Sequence, residues 1–152
     1  MRLCLLVLAV LLVGCTGDAG SPNGAAAPPP ATKRVAVTLD DLPFADRSAS
    51  YSEVEKATSS ILASLKRHRV PAIGFVNEDR LADTGKREQG IRLLEQWLDA
   101  GLELGNHNYG HVGFQSTPLP AYQDAVLRGE RETRRLMTRR GQTLRYYRHP
   151  FT

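Results

Sequence analysis

Asp40-Asp41, the pair His107 and His111, and Arg148 in the run Arg148-His149-Pro150-Phe151 are the residues here whose types and spacing suit chemistry. Two imidazoles and one carboxylate are a recurrent ligand set for a catalytic zinc. Three protein ligands leave a position for water, whose pKa the metal lowers toward about 7. One carboxylate is enough for the metal, so the other, held nearby by a cation, can take a proton from water. Each feature alone is weak. An Asp-Asp pair is most often a turn or a helix cap, and two histidines at i, i+4 are most often exposed or satisfied locally. Their order along the chain and their placement on the surrounding elements give them weight.

Those elements alternate. Residues 34–39, RVAVTL, are β-branched and apolar, the pattern of a strand buried on both faces. Residues 52–69 read as a helix, with Ser52 and Glu55 at capping-box spacing and Val54, Ala57, Ile61 and Leu65 recurring on one face. Residues 72–76 read as a second strand. Residues 91–100 read as a second helix carrying Ile91, Leu94, Trp97 and Leu98 inward, stopped by Gly101. A short third strand over 102–105 and a third helix over 121–140 follow, the helix with Tyr122, Ala125, Val126 and Leu136 inward and its arginines outward. Residues 144–147 begin a fourth strand. This order predicts an α/β fold of parallel β/α units, a parallel sheet or part of a β/α barrel.

In that architecture the carboxyl ends of the strands share one rim, where chemistry gathers. Asp40 and Asp41 close the first strand, His107 and His111 follow the third, and Arg148 ends the fourth, so residues more than a hundred apart in sequence converge. Neighbouring residues on a strand point to opposite faces. Asp40 and Asp41 can therefore differ in role only where the strand ends or twists, and Leu42-Pro43 makes such an ending plausible. Gly105, Asn106, Asn108 and Gly110 around the histidines favour a loop or an irregular first turn over a regular helix.

The chain has 152 residues, 41% hydrophobic and 24% charged, which excludes a disordered segment and a disulfide-stapled miniprotein and leaves room for one domain. Its start reads as a targeting segment. Arg2 precedes an apolar run over residues 3–13, well short of the ~20 residues that span a bilayer, so residues 1–14 read as a cleaved export signal. Leu12-Val13-Gly14-Cys15 resembles a bacterial lipobox, which implies a lipid on Cys15 and an exported protein tethered in the cell envelope, facing the periplasm or on the outer membrane. Cys4 leaves with the signal, so Cys15 stands alone and no internal disulfide forms. Residues 15–32, with Pro28-Pro29-Pro30, read as a flexible linker, and residues 33–152 as the folded part. The net charge is +4, and eight of the basic residues lie between Arg128 and Arg148 against Glu130 and Glu132. No nucleic-acid motif accompanies them, so they read as a solvated face and no nucleic-acid partner is expected.

Residues 35–43, VAVTLDDLP, resemble the first motif of the polysaccharide deacetylases, the NodB-homology or family 4 carbohydrate esterases, commonly written T-F-D-D-G. His107-Asn108-Tyr109-Gly110-His111 resembles the second motif, H-[ST]-x-x-H, and Arg148-His149-Pro150-Phe151 the third, R-x-P-[YF]. The three occur in the family's order. The resemblance implies a partial NodB-like domain over residues 33–152, the N-terminal part of a distorted β/α barrel. It implies Asp40 as general base, Asp41, His107 and His111 as ligands of a divalent metal, and Arg148 as the partner of Asp40. Phe151 matches the position whose backbone N–H helps hold an oxyanion. Zinc is the expected ion, with cobalt or another first-row ion compatible. The implied reaction is hydrolysis of an N-acetyl group on a polysaccharide or oligosaccharide to acetate and a free amine; an acetyl ester would meet the same site. Leu42 replaces the family's Gly, Asn108 its Ser or Thr, and the chain stops at Thr152 before the motif that supplies a histidine general acid. The alternative expectation is therefore a non-catalytic, glycan-binding envelope lipoprotein or a remnant of the fold, inactive as it stands.

Overall fold

Ala72–Val76 (β2) is the strand around which the domain is built, because its AIGFV sequence carries apolar or small side chains on both faces. The computed structural model describes residues 33–82 and 85–151. The expected signal over 1–14, the lipidation site Cys15 and the linker to residue 32 lie outside the described residues. Val37–Leu42 (β1) and Glu103–Asn106 (β3) pair with β2 in parallel on either side, giving the order β1-β2-β3. Tyr51–His68 (α1) and Arg87–Asp99 (α2) are the crossovers that parallel pairing requires. This is the parallel α/β architecture expected from the sequence. Among the described residues no helix is long and apolar enough to cross a membrane.

The core forms where β2 and β3 meet the helices. Ala72, Val76 and Leu104 cluster with Leu94, Trp97 and Leu98 of α2 and with Leu136 and Met137 of Arg131–Thr138 (α4). Each fully buried side chain of this kind contributes about 1.5–3 kcal/mol relative to exposure. Trp97 is core, as expected, and its indole N–H donates to the Glu103 carbonyl at 2.8 Å, so no polar group is stranded.

Several boundaries differ from the sequence reading. The capping box of α1 is Ser50 with Glu53, two residues before the expected Ser52 and Glu55. The helix face rotates accordingly: Leu62 and Leu65 pack on the core while Ile61 is 36% exposed. β1 starts at Val37, not residue 34, and runs through both aspartates. The expected fourth strand is reduced to one parallel bridge between Asn106 and Tyr147.

The expected helix over 121–140 is two helices, Leu119–Arg128 (α3) and α4, divided at Gly129 and Glu130. A Cβ on Gly129 would lie 2.7 Å from Asn106 Oδ1 and 2.8 Å from the Asn108 carbonyl carbon. Only glycine lets the chain pass so close to the loop after β3. The new helix start needs its free N–H groups satisfied, and α4 has no cap of its own. Glu78, in a 3-10 turn after β2 (Glu78–Leu81), supplies it from a distance: its carboxylate accepts from the Thr133 N–H at 2.6 Å and the Glu132 N–H at 3.0 Å.

Burial raises the Glu78 pKa above the ordinary 4.5, partly offset by those N–H bonds. Native protein therefore binds more protons than the unfolded chain between the two values. The stability from this group is complete below the unfolded pKa and is lost as pH rises through the folded one. In urea titrations, wild type should lose stability relative to Glu78→Gln on going from about pH 4 to about pH 7; parallel pH profiles would contradict this.

Candidate metal centre

The two aspartates diverge because β1 carries one extra residue. Leu39 pairs with Gly74 and Leu42 with Val76, so three steps on β1 match two on β2. The bulge flips the side-chain alternation: Val37, Leu39 and then Leu42 pack on the core cluster. Asp41 takes the left-handed conformation at φ 59° that the extra residue requires. The Leu42-Pro43 peptide that follows is cis. Thr38 and Asp40 stay together on the opposite face. There the Arg148 guanidinium donates to Thr38 Oγ1 at 2.9 Å and to the Asp40 oxygens at 3.0 and 3.3 Å. Arg148 also lies over the Phe75 ring, 4.5 Å from its centroid.

His107 and His111 sit in a loop, not on a helical turn. Asn108, Gly110 and His111 all have positive φ, at 71°, 79° and 53°. The loop is fastened at its root, where the His107 N–H donates to the Val76 carbonyl at 2.9 Å. Asn106 reaches two ways, accepting from the Asn108 N–H at 2.7 Å and donating to the Val126 carbonyl at 2.9 Å. The Tyr109 N–H donates to the Ala125 carbonyl at 3.0 Å, tying the loop to α3.

His107 is 3% exposed and its Nδ1 lies 3.1 Å from the Arg148 carbonyl. A carbonyl only accepts, so Nδ1 carries the hydrogen and the Nε2 lone pair is left for a ligand bond. One donor atom each from Asp41, His107 and His111 lie within 4.8 Å of one another, and His111 Nε2 is 3.9 Å from Asp41 Oδ2. A tetrahedral zinc with bonds of about 2.0–2.2 Å holds its donors roughly 3.4 Å apart. The donor set thus fits a first-row ion after small side-chain movements.

Asn77 holds this arrangement together and was not singled out by the sequence. It is 1% exposed at the end of β2, and its amide donates to Asp41 Oδ1 at 3.3 Å while its oxygen accepts from the Gly110 N–H at 3.1 Å. One side chain thus links the bulge to the histidine loop. Its only sequence signal is a polar residue directly after a buried strand, on the rim. Arg80 Nη2 stands 3.9 Å from Asp41 Oδ1. Phe151 is 77% exposed at φ 63°, with its ring edge-on to His111 at 4.6 Å between centroids. Beside that contact, residues 113–116 and 149–151 line an open cavity of 410 Å³.

A family model described as polysaccharide deacetylase matches residues 27–152. The chain belongs to the polysaccharide deacetylase family. Solved structures of the same fold include peptidoglycan deacetylase PdaC from Bacillus subtilis, 23% identical over 76% of this chain and 48% of that one, with a TM-score of 0.56. A family 4 carbohydrate esterase from Streptomyces lividans in complex with acetate is 22% identical over 77% of this chain and 50% of that one, with a TM-score of 0.54. A family 4 pseudoenzyme from Bacillus anthracis is 21% identical over 76% of this chain and 34% of that one, with a TM-score of 0.53. This deacetylase-family chain therefore spans between a third and a half of the length of these neighbours. No curated protein matches it.

Removing the Asn77 bridge should loosen the loop before it unfolds the domain. In Asn77→Ala, hydrogen exchange at the Gly110 amide should accelerate about tenfold, the equivalent of one net hydrogen bond. Unchanged exchange at Gly110 would remove Asn77 from this role.

Proposed function

We propose that this domain carries the metal-binding and base groups of a metal-dependent hydrolase that removes N-acetyl groups from polysaccharides or oligosaccharides. The convergence of the Asp41, His107 and His111 donor atoms, with the Asp40–Arg148 pair beside them, carries this reading. Family membership supports it, as does the likeness in fold to a peptidoglycan deacetylase and a family 4 carbohydrate esterase. In this reading Asp41, His107 Nε2 and His111 hold a divalent ion, with zinc the choice for two imidazoles and a carboxylate. The ion supplies Lewis acidity toward an acetyl carbonyl and acidifies water.

The chain's own groups do the rest. Asp40 accepts a proton from the attacking water at a carboxylate oxygen. Arg148 holds that carboxylate in place, and its own position is set by Thr38 and by the Phe75 face beneath it. The Phe151 backbone N–H is proposed as an oxyanion donor. Water adds across the amide, the C–N bond breaks, and acetate and a free amine result, with the proton held by Asp40 ultimately balancing the amine. Export and lipid attachment at Cys15 belong to the same proposal and rest on the sequence of residues 1–32. A second reading, glycan binding without turnover, draws on the pseudoenzyme among the structural neighbours.

The test is acetate release from N-acetylated chitooligosaccharides by the full chain, with zinc and with a chelator. Acetate is expected only with metal. Asp40→Asn should keep zinc and lose about 100-fold or more of the rate, whereas His107→Ala should lose zinc itself. Glycan binding with zinc bound and no acetate under any metal would give the second reading its place.

A further inference from the structure

Arg148 serves both halves of the site at once. Its carbonyl fixes the His107 tautomer and its guanidinium holds Asp40. Yet its segment lacks a strand's support, since residues 144–147 make one bridge to β3 and no ladder. The backbone bonds there run from the Asn106 N–H to the Tyr146 carbonyl and from the Arg148 N–H to the Asn106 carbonyl.

Tyr122, buried on α3, reaches both residues that flank Arg148. Its phenol oxygen lies 2.5 Å from the Tyr147 oxygen and 2.5 Å from His149 Nδ1. Burial, and then the bond to Tyr122, push the Tyr147 phenol well above its ordinary pKa, so Tyr147 stays a neutral phenol beside Tyr122. The Tyr122 hydroxyl, which can both donate and accept, thus bridges the Tyr147 hydroxyl and His149 Nδ1. Ring packing fixes the same residues: Tyr122 stacks on His149 at 5.8 Å between centroids, and Tyr147 meets His149 edge-on at 5.0 Å.

We propose that Tyr122 is a positioning residue that clamps Tyr147 and His149 and so sets the Arg148 backbone, which in turn makes His107 present Nε2 to the metal and Arg148 face Asp40. The proposal rests on the metal reading above for its functional consequence, while its structural part stands on the metal-free protein. A phenol on α3 does here what a ladder of backbone bonds does for a full strand. Losing it would loosen the hold on the residues either side of Arg148, and with them the carbonyl that accepts from His107 Nδ1–H.

The experiment compares the full chain with its Tyr122→Phe variant, which keeps the ring and removes only the hydroxyl. Imidazole nitrogen NMR of the metal-free proteins reads the His107 tautomer, and calorimetric titration with zinc chloride reads affinity. Wild type should show Nδ1–H at His107. The variant should show a mixture of tautomers and bind zinc about tenfold more weakly, the lower end of the cost of losing an outer partner of a metal ligand. A purely structural role for Tyr122 would lower stability and leave the tautomer alone. An unchanged tautomer overturns the proposal, whatever the zinc affinity. Should Tyr122→Phe fail to fold, the same two measurements on His149→Ala, at an exposed position, support or overturn the clamp in the same way. If wild type binds no zinc, the metal reading falls and the tautomer measurement still decides the role of Tyr122.

Discussion

Two carboxylates that adjoin in sequence cannot serve two partners from a regular strand, because the pleat sends one into the core and the other away from it. The extra residue in β1 removes that conflict. Core packing continues through Leu39 and resumes at Leu42, Asp40 stays beside Thr38 under the Arg148 guanidinium, and Asp41 is released toward the histidine loop. Without the bulge, Asp41 would occupy a core-facing position, where an unpaired carboxylate costs several kcal/mol. The proposed division of labour between base and ligand starts from this one irregularity.

The rest of the site is irregular backbone held by buried amides. Asp41, Asn108, His111 and Phe151 all take left-handed conformations without being glycine, each at a cost of about 1–2 kcal/mol. Such strain persists only where the surroundings over-determine it. Asn106 and Asn77 provide that restraint, one binding the loop to itself and to α3, the other binding it to Asp41. Individual bonds of this kind contribute only about 0.5–1.5 kcal/mol net. Several acting on one short loop are needed, and the close passage of Gly129 keeps α3 near enough to supply them.

The parallel α/β order was legible in the sequence because alternating apolar segments and breakers are local signals, and β2 was read at its observed limits. The grouping of Asp40, Asp41, His107, His111 and Arg148 followed from the rule that strand ends share a rim. Other features depend on contacts distant in sequence. Ser50 and Ser52 are both followed three residues later by glutamate, so the capping box alone could not fix where α1 begins. The split at Gly129 arises from the approach of Asn106 and Asn108, which a helical periodicity does not record. Asn77, Glu78 and Tyr122 look like ordinary polar or amphipathic residues until the fold sets each beside groups distant along the chain.

X-ray absorption at the zinc edge, on the full chain loaded with one equivalent of zinc, bears most directly on the claim that Asp41, His107 and His111 hold one ion. The account predicts a first shell of nitrogen and oxygen at about 2.0–2.2 Å with outer-shell scattering from two imidazoles. Sulfur scattering at about 2.3 Å, an oxygen-only shell without imidazole, or retention of the same spectrum in His107→Ala would contradict it.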